Sequence, residues 1–163
     1  MFVLRVFLWL STVFTLGLIL LLSFQDGETA KNVDNILIKN FAQWYYNRDD
    51  FNILEMMNIT YRFRQYGRIV IFMLLGFLGT ATIHSSFYKV PWILRTFMAG
   101  IILIGVAIFT ERYKIYLPTR HFSETEMYYS IFGALFGFII VSFITFIISL
   151  ACIIYKFIVG DRY

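Results

Sequence analysis

"MYYSIFGALFGFIIVSFITFIISLACIIY", residues 127–155, runs for 29 residues without a charge. An α-helix rises about 1.5 Å per residue, so about 20 apolar residues cross a hydrocarbon core of ~30 Å. The run therefore predicts a transmembrane helix. It is longer than one crossing needs, which predicts a tilt or an extension beyond the membrane. Gly133 and Gly137 form a G-x-x-x-G step on it, where another backbone can approach closely.

Three more apolar runs precede it, at residues 6–24, 69–88 and 90–110. The first follows Arg5 but is longer than the apolar part of a typical signal peptide. No small-x-small cleavage pattern comes directly after it, so an uncleaved helix is expected. In the second, Gly76 and Gly79 permit close helix packing. The third has Pro91 near its start, where a missing N–H is harmless, and Arg95 about one turn in, from where it can snorkel to the interface. The chain is 60% apolar and 15% charged, against about 25% charged for a soluble domain. The expected fold is one all-α membrane domain over residues 1–163: four transmembrane helices in a bundle, with both termini on one side.

The connectors at residues 25–68 and 111–126 then share the opposite side. They hold nine of the ten acidic residues and nine of the fourteen basic ones. Folding the bundle brings them together as a polar cap. Lys/Arg counting alone does not orient the chain, because the long first connector mixes both signs. Within that connector, Val33, Leu37, Phe41, Trp44 and Tyr45 have the spacing of an amphipathic helix, either lying on the membrane surface or packed over the end of the bundle.

Several functions lack their signatures. There is one cysteine, Cys152, and the two histidines, His84 and His121, lie far apart, so no metal site or cofactor is expected. No metalloprotease, serine-hydrolase or P-loop motif occurs. The net charge of +4 in so apolar a chain points to anionic lipid head groups, not nucleic acid.

The second connector carries the candidate chemistry. Glu111 ends the third run at the membrane boundary, where charge must be paired or wet. It is expected either to face an interfacial cavity or to pair with Arg64 or Arg68. Arg120 follows the stiff Pro118 and has the planar guanidinium that suits phosphate; the alternative is solvation or an internal carboxylate partner. Ser123 to Glu126 reads S-x-x-E, a capping box for the fourth helix. Lys114, Tyr113 and Tyr116 have the character of interfacial anchors. His121 can in principle shuttle a proton, and His84 has the look of an ordinary boundary residue.

In order and spacing these residues resemble the VanZ-like membrane proteins. The family pattern of an acid, Gln, Pro-x-Arg, a second acid and Gly-x-x-x-Gly is met by Glu111, Lys114 in the Gln place, Pro118-Thr119-Arg120, Glu126, Gly133 and Gly137. Upstream, "RQYGRIVIFMLLG" at residues 64–76 is similar to a family element through Arg64 and Leu75-Gly76, with Phe72 for the aromatic and Arg68 where the family has His. "LSFQDGETA" at residues 22–30 resembles its Ser-x-Gln-x-Gly step. The resemblance implies a bacterial, Gram-positive membrane protein with cytoplasmic termini, an extracytoplasmic cap and a link to lower teicoplanin susceptibility. Arg68 and Lys114 replace a titrating group and a neutral hydrogen-bonder with fixed positive charge.

Two functions are expected from these residues. In one, Arg64, Arg68, Lys114 and Arg120 bind an anionic envelope component: a lipid head group, a lipid-linked cell-wall precursor or a lipoglycopeptide. In the other, a lipid-modifying hydrolase or transferase uses Glu111 or Glu126 as general base and Arg120 to hold a phosphate. A third expectation is a structural subunit of a membrane-protein complex, with Gly133 and Gly137 at its interface.

Overall fold

The computed structural model of the chain describes residues 2–24, 53–116 and 122–160. Among these, the regular structure is entirely helical: α1 (Phe2–Phe24), α2 (Ile53–Ser86), α3 (Trp92–Arg112), a 3-10 turn (Tyr113–Tyr116) and α4 (Glu124–Gly160). Each α-helix contains a stretch long and apolar enough to cross a membrane: Phe2–Leu21, Asn58–Ser86, Trp92–Tyr116 and Glu124–Ile158. Four such helices fit a multi-pass membrane protein. The amphipathic pattern expected over residues 33–45 lies outside the described residues, as does most of the first connector.

One feature was not expected. Residues 53–68, read as part of the first connector, are already helical and form the start of α2. Their sequence, "ILEMMNITYRFRQYGR", has no proline and is rich in Leu, Met, Glu, Gln and Arg, which are good helix formers. Hydropathy marks the apolar stretch, whereas the helix continues wherever backbone hydrogen bonding is unopposed. α4 likewise starts at Glu124 and runs to Gly160, outlasting its apolar run at both ends.

α2 is the central helix and packs against the other three, most extensively against α4. The α2–α4 seam is built on glycine. A Cβ on Gly133 would lie 2.5 Å from the Ile69 carbonyl oxygen, and one on Gly137 would strike the Met73 carbonyl. From the other side, a Cβ on Gly76 would strike the carbonyl of Ala134. Only the absence of side chains allows this approach. Because Ile69 meets Gly133 and Met73 meets Gly137, the two helices run in the same direction. α1 runs against α2, since Thr12 meets Thr82 at 2.8 Å and the Trp9 indole donates to Ser86 Oγ at 2.9 Å. The core is thin: Ile19, Phe72, Leu75, Leu103, Ala107 and Ala134. Most large apolar side chains face outward, among them Phe14, Ile93, Phe97, Phe132 and Phe143. A lipid surround accounts for such a surface, whereas a water-soluble monomer rarely exposes contiguous apolar area on this scale.

Candidate functional site

Two polar levels bound the bundle. Arg68, Glu111 and Glu126 define one; Ser86, Trp92 and Thr145 define the other. Along α2, α3 and α4 these markers are separated by about 27 to 29 Å at 1.5 Å per residue, close to a hydrocarbon thickness of ~30 Å.

The first level is a closed cluster of four charges. Glu111 lies in the last turn of α3. The tighter 3-10 turn that follows stacks position i+3 over i, which sets Lys114 directly on Glu111. Lys114 Nζ donates to Glu111 Oε1 at 2.7 Å and Oε2 at 2.9 Å, and to Glu126 Oε2 at 3.0 Å. Arg68 arrives from α2. Its Nη1 donates to Glu111 Oε2 at 2.5 Å and its Nη2 lies 2.7 Å from Glu126 Oε2. Each cation thus bridges both acids, and the group sums to zero charge. Glu111 and Lys114 are each 2% exposed, Arg68 19% and Glu126 25%. Of the two expected partners for Glu111, Arg68 is the one that meets it. Beside the cluster, one turn earlier on α2, Gln65 is buried and its Oε1 has no hydrogen-bond partner among the described residues.

Two expectations change here. Lys114 is not an interfacial anchor: it is buried, and all three donors of its ammonium go to carboxylates, leaving none for an added anion. The S-x-x-E box is present on its Ser side, where the Glu126 N–H reaches Ser123 Oγ at 3.5 Å. The Glu126 carboxylate is drawn into the ion cluster. Arg64 is exposed one turn before Arg68 on α2, and Tyr113 and Tyr116 are exposed with their rings 5.9 Å apart. Pro118, Arg120 and His121 lie outside the described residues.

The second level was not legible as a unit. His84, expected as a boundary residue, is 6% exposed. Its Nε2 lies 3.4 Å from Thr96 Oγ1, and its carbonyl accepts from Arg95 Nη1 at 3.0 Å. Arg95 therefore reaches into the α2–α3 junction instead of only snorkelling outward. The Trp92 indole donates to Thr145 Oγ1 at 3.2 Å, tying α3 to α4. The available signal was the presence of Ser, Thr and Trp within the apolar runs, where such side chains link helices.

Among the described residues no group of three His, Cys, Asp or Glu side chains could hold a metal ion. A shallow apolar groove of about 390 Å³ lies between α3 and α4, walled by Trp92, Phe97, Ile101, Ile104 and Phe138. None of the four clustered charges lines it. Compared with models of protein families, with curated proteins and with solved structures, the chain matches none.

Proposed function

We propose that the protein is a non-catalytic, VanZ-like membrane protein of the bacterial envelope. Its termini are cytoplasmic, and its charged end faces outward to bind an anionic envelope component. That component is a lipid head group, a lipid-linked wall precursor or a lipoglycopeptide of the teicoplanin type. The observation that carries the reading is the state of the two candidate bases. Glu111 is buried and held by Arg68 and Lys114, and Glu126 is bridged by the same two cations. A general base must reach a substrate proton directly or through one water. With both acids engaged, recognition falls to arginines: Arg62, Arg64 and Arg112 are exposed at this end, and Arg68 has guanidinium donors beyond those given to the acids. Arg120 joins them by its place in the sequence pattern.

Mass spectrometry of lipids and precursors retained by the purified protein tests the reading. The expected result is one class of anionic envelope molecule, diminished in Arg64→Ala and Arg120→Ala variants that still insert in the membrane. Conversion of a retained lipid to a product over time would instead establish the hydrolase or transferase. A structural role within a complex has one observation of its own. Residues 146–158 of α4 continue past Thr145 with exposed apolar side chains, including Ile153, Phe157 and Ile158. Stoichiometric co-purification of a second membrane protein would favour that role.

A further inference from the structure

Among the described residues, the end of the bundle marked by Trp92 carries cations and no acid. Arg5 lies on α1, Lys89 in the turn joining α2 to α3, and Arg95 in the first turn of α3. The acids among the described residues are Glu55, Glu111, Glu124 and Glu126, and all four lie at the opposite end. Lys156 lies farther out on α4, and two of the three nearer cations converge on one ring. Arg5 Cζ is 4.9 Å from the centroid of Tyr88, and Lys89 Nζ is 5.9 Å from it. An aromatic face attracts a cation only modestly, and two like charges gathered on one ring repel. Arg95 adds a third charge. Its Nε is buried with no hydrogen-bond partner among the described residues. Trp9, Tyr88 and Trp92 surround this end, in the ring of amphipathic aromatics that marks head-group depth.

We infer that this end holds an anionic phospholipid, whose phosphate is bound by Arg5 and Lys89 where they meet on Tyr88. The inference rests on the membrane reading proposed above, but not on the anion site at the opposite end. The occupant follows from position and charge. A cluster of cations at head-group depth faces the bilayer's own phosphates, and each basic residue near that surface strengthens binding several-fold.

The test is native mass spectrometry of the full chain released from nanodiscs containing equal phosphatidylglycerol and phosphatidylcholine. The wild type should retain phosphatidylglycerol preferentially. Lys89→Ala should weaken retention roughly fivefold, and Arg5→Ala/Lys89→Ala roughly twentyfold or more. Tyr88→Leu should weaken it by a smaller factor, because the cations remain and lose only their common ring. Excess inorganic phosphate should not displace the lipid. Equal retention of the two lipids by the wild type would overturn the inference, as would displacement by phosphate. So would unchanged retention in a double variant that keeps its helical circular dichroism. Loss of the retained anion in Arg64→Ala but not in Arg5→Ala/Lys89→Ala would also overturn it, leaving the proposed function standing. Release of the wild type from membranes by alkaline carbonate would remove the membrane reading and this inference together.

Discussion

Lys114 shows how burial decides the work of a charge. In water its ammonium would be solvated and could exchange among anions; at 2% exposure it is committed to Glu111 and Glu126. Removing one member of such a group leaves an uncompensated charge in a low-dielectric site, at about 3–5 kcal/mol. Lys114→Met should therefore destabilise the bundle by several kcal/mol, read as an earlier unfolding transition in mild detergent. Glu111→Gln should do the same, and Glu111→Asp less. Combining Lys114→Met with Glu111→Gln restores neutrality. The double variant should recover part of the loss, with a coupling of about 1–3 kcal/mol in the mutant cycle. Strict additivity of the two single losses would show that the cluster is not a coupled unit. A pairing of Glu111 with Arg64 or Arg68 was legible because these residues flank apolar runs that fold to the same level, and the structure selects Arg68. The burial of Lys114 was not legible, because it depends on the 3-10 turn that carries the residue back over Glu111.

At the scale of elements, the glycines divide by what faces them. Gly137 abuts the backbone of α2 at Met73 and Phe77, whereas nothing lies within 4 Å of a Cβ on Gly105. Gly137→Ala should force α2 and α4 apart and destabilise by about 1–3 kcal/mol, the usual penalty for overpacking. Gly105→Ala should be neutral or raise stability by up to about 1 kcal/mol, since alanine is the better helix former. Thermal unfolding of the two variants in the same detergent separates them, and equal destabilisation would remove the seam from the account. The G-x-x-x-G step was visible in sequence. Its partner was not, because α1, α2 and α3 each carry small residues, and the contacts of Gly133 with Ile69 and of Gly137 with Met73 are what assign the seam to α2.

At the scale of the molecule, four helices able to span a membrane put the start of α1 and the end of α4 on one side, and that side carries Arg5 and Lys89 and no acid among the described residues. The proposed orientation, with this side in the cytoplasm, rests on the family resemblance and not on counting Lys and Arg. A C-terminal alkaline phosphatase fusion should be inactive and a C-terminal fluorescent-protein fusion bright; the reverse pair of results would invert the molecule and move the charged cluster inside. The sequence by itself determined the number of long apolar helices and the glycines able to pack, because both are properties of a local run. The tertiary structure alone decided which charges cancel. Arg68 and Glu111 are 43 residues apart and meet because α2 and α3 run antiparallel. Glu126 joins them because the glycine seam draws α4 against α2. Net charge at a surface depends on pairing in space, so the charges left to face a ligand could be counted only after the helices had packed.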